Sequence, residues 1–307
     1  MLVDARTTPV TPPLQAVLRN CLHVGNITLS LCGSSPKEIL LPEQLSPFVE
    51  NNQLANIEVF VEFVDDLCPQ ATGWVFDSGA LWRVFHGREG FVFDFLSLVL
   101  GRNPYKRLVV DKTFSSARLL LNHSLLQGYA PIFPLEYPTD ELLITNYLAQ
   151  HRLGVEVHAC GFIDPSAGGQ IFLGHSGAGK STTTRIWQAA RNPVILSDDR
   201  IILRLKEGHL HMYGTPWHGE AAFAEQAEAR LKRIFILQHG PSNRIQRMSK
   251  ARALGEVFAR CFPPFHNPDG LEGALEFIKC ALDVVPCYEF QFVPDGSAVG
   301  AVLDFND

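Results

Sequence analysis

Residues 174–181, GHSGAGKS, fit the pattern G-x-x-x-x-G-K-[ST] and directly follow the apolar run QIFL at residues 170–173. A loop of this kind works in one setting. A strand enters it, glycines let successive backbone N–H groups turn inward, and a helix begins at its end with its partially positive N-terminus aimed at the same centre. The chain is therefore committed to a strand–loop–helix unit, and the centre of that unit suits phosphate. Gly174, His175, Ser176, Gly177, Ala178, Gly179, Lys180, Ser181 and Thr182 are the candidate nucleotide-binding residues. Lys180 is expected to reach β- and γ-phosphates and the Ser181 hydroxyl to ligate Mg²⁺, so ATP and Mg²⁺ are the expected cofactors.

The next apolar run, residues 194–196, ends in Ser197, Asp198 and Asp199. Acids at a strand end are ordinarily solvated turn residues. Downstream of a phosphate loop they gain meaning, because consecutive βα units bring strand C-terminal ends to one edge, where ligands bind. Two carboxylates there can divide the work: one toward Mg²⁺, the other taking a proton from an incoming hydroxyl.

Composition narrows the setting. Lys and Arg total 26 against 32 Asp and Glu, a net charge of −6, which excludes a broad basic face for duplex nucleic acid. Any phosphate must be gripped locally. The 307 residues, 46% apolar, suffice for about two domains with real cores. The seven cysteines include no Cys-x-x-Cys pair and read as reduced thiols. The opening MLVDARTTPVTPPLQ lacks the apolar run of a signal peptide, and the longest apolar stretch, FVFDFLSLVLG, is broken by Asp94. A soluble cytoplasmic protein with no membrane partner is expected, and the sequons at Asn26 and Asn122 are then chance matches.

Residues 1 to about 22 read as a proline-punctuated lead-in with one short helix. From His23 to Asn122 the segments ITLSLCG, IEVFVEFV, GWVFDSGALWRVFHGREGFVFDFL and RLVVDKTF predict strands in antiparallel hairpins. A helix is expected over residues 140–150, capped by Thr139 or Asp140. Beyond it strands and helices mix: VEVHACGFI, QIFLG, PVILSDD, a hairpin IILRLKEGHLHMYG turning at Glu207 and Gly208, RLKRIFILQ, helices near 250–260 and 271–282, and CYEFQFV. The fold class is α/β (α+β) with a mixed sheet, divided into a β-rich domain over residues 1–135 and a catalytic domain over 136–307.

Three segments together, VHACG around His158, GHSGAGKST and ILSDDR, resemble the HPr serine kinase family, whose fold is related to ATP-dependent phosphoenolpyruvate carboxykinase. YGTPWHGE and VPCYEFQF look like a branch of kinase-like proteins associated with peptide modification. The resemblance covers roughly residues 136–307. It implies a P-loop kinase core, nucleotide phosphates on residues 177–181, Mg²⁺ near Ser181 and one Asp, and the other Asp as proton acceptor. We assign Asp198 as the base and Asp199 to the metal side, although either order agrees with the resemblance. It also implies His158 near the transferred phosphate. The family's C-terminal signature for engaging HPr is missing here, so HPr is not the expected acceptor.

Several lesser signals remain. In GTPWHGE, Glu220 either opens a helix or adds a third carboxylate to the metal side. His209 and His211 share one strand face but have no third ligand near them, so a hairpin edge is the expected setting. Among Arg185, Arg191, Arg200 and Arg204, Arg200 adjoins the acids and is the candidate for offsetting phosphoryl charge. FPPFHNPDG reads as a rigid link between two helices. The expected activity is phosphotransfer from ATP to a Ser or Thr hydroxyl of a peptide or small protein. The alternatives are a free small-molecule alcohol or amino acid as acceptor, and a nucleotide-binding regulator without turnover. Homo-oligomers are compatible with each.

Overall fold

The computed structural model describes residues 2–3, 18–33, 40–50, 54–69, 73–79, 81–128 and 132–306. Of the lead-in expected over residues 1 to about 22, with its short helix, residues 4–17 lie outside the described residues, and residues 18–22 belong to a strand. The chain forms two compact units, one of residues up to 23, 27–147 and 265–268, the other of residues 24–26, 148–264 and 269 onward. Each contains a mixed sheet. The chain passes from one unit to the other after Tyr147, inside a helix.

The first unit holds β1 (Leu2–Val3), β2 (Leu18–Val24), β3 (Ile27–Gly33), β4 (Ile57–Val64), β5 (Asp66–Leu67), β6 (Trp74–Asp77), β7 (Trp82–His86), β8 (Gly90–Ser97), β9 (Gly101–Asp111) and β10 (Ser116–Asn122), then helices α1 (His123–Leu126) and α2 (Thr139–Gln150). Eight strands run in the order β2-β3-β4-β10-β9-β8-β7-β6. The expectation of antiparallel hairpins holds for β6 to β10 but not for β4, which pairs in parallel with both β3 and β10. Parallel neighbours need a crossover of about a dozen residues or more, and the stretch between Gly33 and Ile57 is long enough for one. Asn122, one of the two sequon residues, is fully buried. Its side chain caps α1 by accepting from Leu125 N and donates to Asp66 Oδ1 at 2.9 Å.

His266, from the proline loop, belongs to this first unit and is buried among aromatic rings. Phe93 and Phe91 stand nearly perpendicular to it at 5.3 and 5.4 Å, and its Nε2 is buried with no hydrogen-bond partner among the described residues. Burial pushes its pKa from 6.5 down to about 4. The unfolded chain then binds a proton at pH values where the fold does not. This group's contribution is therefore complete above its unfolded pKa and is lost as pH falls toward the folded value. From about pH 7.5 to about pH 5 the loss is about 2 kcal/mol. Urea midpoints should drop over that range in the native protein and drop less in His266→Phe; equal drops would remove His266 as the cause.

The second unit contains β11 (Gly154–Asp164), β12 (Gly168–Leu173), α3 (Lys180–Arg191), β13 (Val194–Ser197), β14 (Arg200–Lys206), β15 (His209–Tyr213), β16 (Glu228–Arg230), β17 (Ile234–His239), β18 (Arg244–Arg247), α4 (Lys250–Phe258), α5 (Pro268–Val284), β19 (Cys287–Phe292) and α6 (Ser297–Leu303). The sheet order is β16-β15-β14-β11-β12-β17-β19-β18, with β13 also on β11. Alternate strand residues bury opposite faces. Val157, Ile171 and Ile236 pack with Val257 of α4 and Phe277 of α5, whereas Phe162, Phe172 and Phe235 pack with Trp187 of α3 and Val299 of α6. The result is a sheet between two helical layers.

Sequence patterns for β11, β12, α3 and the β14–β15 hairpin agree with the structure, and the hairpin turns at Glu207 and Gly208, both with positive φ. Three details differ from expectation. No helix follows GTPWHGE; residues 214–227 form a loop. The β14–β15 hairpin is not an edge, because β16 pairs with β15 and half-buries His211 near Glu228. FPPFHNPDG does link α4 and α5, but it also delivers a buried histidine. No helix among the described residues is long and apolar enough to cross a membrane.

Candidate active site

β11 explains why the glycine loop and the acids converge. It pairs antiparallel with β12 on one side and with β13 and β14 on the other, so β12 and β13 both end at the same edge. Consecutive βα units are not the cause, because an antiparallel strand lies between the two. At His158 the β12 side continues one residue into the loop, where Gly174 N donates to His158 O at 3.1 Å. Opposite it, β11 changes partner from β13 to β14, with His158 in register with Arg200. Asp198 and Asp199 occupy that change of partner, and Ala159 N donates to Asp199 O at 3.0 Å. Ser197 stabilises the turn by accepting from the backbone N of Asp199 and of Arg200 at 3.2 and 3.1 Å.

The loop needs its glycines. Gly177 and Gly179 have φ of +80° and +99°, and a Cβ on Gly179 would lie 2.5 Å from the Phe292 ring. Gly179 precedes α3 without a side-chain cap, and the first intrahelical bond runs from Thr183 N to Gly179 O. The N–H groups of Lys180, Ser181 and Thr182 thus precede the helix ladder, as an anion site at a helix N-terminus requires. Ala178 N and Lys180 Nζ both donate to His175 O, at 3.0 and 3.3 Å, and Lys180 Nζ also donates to Gly174 O at 3.1 Å. Two donors already aimed at one neutral oxygen suit a phosphate oxygen better, since charge strengthens such bonds.

Lys180 is buried, with its ammonium 4.0 Å from Asp199 Oδ1. Burial lowers its pKa, and Asp199 partly opposes this. Asp199 Oδ1 bonds His158 Nε2 at 2.8 Å, and Oδ2 accepts from Arg200 Nε at 3.1 Å. Burial alone would raise the pKa of this carboxyl. The His158 bond and charge and the Arg200 guanidinium outweigh it and hold the group down at about 2. Arg200 is fixed in turn by Glu156 at 3.4 Å and by the Phe262 ring, 3.7 Å below its guanidinium carbon.

Asp198 is placed differently. It is 1% exposed, and its two oxygens accept from Gly219 N and Ala221 N, both at 3.0 Å. It anchors the GTPWHGE loop under the site. Glu220 lies exposed on that same turn, and no three His, Cys, Asp or Glu side chains among the described residues gather into a metal-holding group. Ser181 and Thr182 are half-buried at the start of α3. The other arginines are engaged elsewhere: Arg191 with Asp164, and Arg204 with the carbonyls of Gly25 and Asn26. Arg185 is exposed. Burial pushes the Cys160 thiol, which lies among Thr184, Lys180 and Asp198, up to about 12, so it stays protonated.

Glu156, Phe262 and His239 also belong to this site, and sequence reading misses all three. His239 Nε2 contacts Gly177 O at 3.0 Å and its ring stacks on Phe292 at 5.5 Å. Neither Phe262 nor His239 carries a local pattern, and only strand pairing between distant segments brings them in.

No protein-family model matches the chain. No curated protein matches it either. Among solved structures, the Hpr(Ser) kinase/phosphatase from Coxiella burnetii is similar over 48% of this chain and 93% of its own, with 12% sequence identity and a TM-score of 0.27.

Proposed function

We propose that this chain is an ATP- and Mg²⁺-dependent kinase that transfers the γ-phosphoryl group to a Ser or Thr hydroxyl of a peptide or small protein. One observation carries the reading: the phosphate loop and the His158–Asp199 pair end at the same sheet edge, with Lys180 4.0 Å from Asp199. In this mechanism the loop N–H groups and Lys180 hold the β- and γ-phosphates, and Lys180 exchanges the carbonyls of Gly174 and His175 for phosphate oxygens. The Ser181 hydroxyl would hold Mg²⁺, which would neutralise charge on the phosphates when bound.

The exposures favour a reversal of the sequence-based assignment of the acids. Asp198 has both oxygens occupied by backbone N–H groups beneath Gly219, whereas the Asp199 side chain is 26% exposed. Asp199 is therefore the group that orients the acceptor hydroxyl and receives its proton. A carboxylate held near 2 is a weak base toward a resting alcohol, so the proton moves late, as the oxygen becomes acidic on bonding phosphorus. His158 holds the carboxylate in place, and Arg200, braced by Phe262 and Glu156, stands beside it to offset phosphoryl charge.

The first unit is proposed to select the acceptor. It contains a cavity of about 590 Å³ walled by Leu96, Val99, Leu121 and Leu126, with Tyr105 and Glu136 as polar groups. Leu98, also in its lining, is fully exposed. Such a cavity suits an apolar stretch of polypeptide. Incubating the protein with γ-labelled ATP and Mg²⁺ against separate peptide and metabolite pools tests the reading. Label is expected in the peptide pool. Label only in metabolites would redirect the acceptor, and ATP binding without transfer or phosphate release at high protein concentration would identify a regulator.

A further inference from the structure

We infer that His239 is a positioning residue that locks the phosphate loop in its anion-binding form; this rests on the nucleotide-binding reading above. The argument begins with the peptide bond between Gly177 and Ala178. A trans peptide is planar, and its C=O and N–H point in opposite directions. Gly177 O is held by His239 Nε2 at 3.0 Å, while Ala178 N donates the other way, across the loop to His175 O at 3.0 Å. Fixing the carbonyl therefore fixes the direction of the amide, which shares its acceptor with Lys180 Nζ.

A carbonyl oxygen only accepts, so the imidazole must carry its proton on Nε2, and both its neutral and its charged forms can make this bond. The ring is kept in place by stacking on Phe292 at an interplanar angle of 29°. This contact follows from topology. β17 and β19 are parallel neighbours with His239 in register with Phe292, and β17 lies beside β12, the strand that enters the loop. Phe292 also closes the space over Gly179, so His239 and Phe292 together brace both positive-φ glycines of the loop. Gly177 gains most from this, since a glycine at φ +80° has nothing of its own to prevent its peptide from flipping.

Two variants separate the donor from the ring. His239→Phe keeps a stacking ring and removes the donor. His239→Gln removes the ring but carries an N–H₂ donor the same number of bonds from Cα. Titration with ADP and Mg²⁺ should show affinity about tenfold weaker in His239→Phe, the scale of one lost hydrogen bond, and within about threefold of native in His239→Gln. Amide hydrogen exchange at Ala178 in the nucleotide-free protein should speed up in His239→Phe and be restored in His239→Gln. Native-like affinity and exchange in His239→Phe, or a loss confined to His239→Gln, would overturn the inference. A native protein that binds neither ADP nor ATP would instead overturn the nucleotide reading, and the exchange measurement would still report on the lock itself.

Discussion

Asp199→Asn is expected to slow phosphoryl transfer by about a thousandfold while ATP still binds, the loss typical of removing a positioned proton acceptor. The amide keeps an oxygen for His158 and has nearly the same shape, so the turn held by Ser197 and the backbone bond from Ala159 should survive. What disappears is the negative charge between His158, Arg200 and Lys180. Phosphate affinity should not fall, because a carboxylate 4.0 Å from Lys180 competes with a phosphate for the same ammonium. Single-turnover measurement with the identified acceptor separates the chemical step from binding. Asp198→Asn is the control. Its carboxylate accepts two backbone N–H groups from Gly219 and Ala221, and an amide nitrogen facing one of them loosens that loop. Faster amide exchange at residues 219–221 with a smaller loss of transfer is expected. A larger loss in Asp198→Asn than in Asp199→Asn would restore the opposite assignment of the two acids.

The parts of the site legible in the sequence are those whose residues are neighbours in the chain. The loop, its entering strand and its helix form one continuous segment, and their requirements for Gly, Lys and Ser are local. Asp198 and Asp199 gain meaning because the following strand is short and ends at them. His158 is visible only through the company of VHACG, and its partner is reached through β11 pairing on both sides. Phe262, Glu156 and His239 gave no local signal. Phe262 is carried to Arg200 by the chain after α4, where Phe262 N bonds Glu156 O and His158 N bonds Arg260 O. The parallel pairing of β3, β4 and β10 escaped for a related reason. Alternation marks a strand and its buried face but does not say which distant strand lies beside it or in which direction. For GTPWHGE the sequence leaves a helix start open because Glu220 suits a first turn, but Asp198 draws that turn into a backbone-bonded loop.

Asp94→Leu is expected to cost about 3–5 kcal/mol of stability, although it removes a charge from an otherwise apolar strand. Asp94 interrupts FVFDFL in β8 and is buried, facing Arg107 of β9 in register. Arg107 is fully buried, donating through Nε to one carboxylate oxygen and through Nη2 to the other at 2.8 Å. A second bond from Nη2, to Cys68 O at 2.7 Å, orients the guanidinium but cannot neutralise it. Leucine at position 94 would take away the carboxylate that Nε and Nη2 of this guanidinium face, and removing one partner of a buried ion pair costs far more than the apolar contact returns. The double variant Asp94→Leu with Arg107→Met removes both charges and fills similar volume. It should recover most of the loss, because replacing a buried pair with apolar groups is often neutral or better. Urea unfolding of the two single variants and the double one closes the cycle. A loss below about 1 kcal/mol in Asp94→Leu would mean that water or another acceptor reaches Arg107. A double variant no more stable than Asp94→Leu would mean that the pair holds the geometry of β8 and β9 instead of merely balancing its own charges.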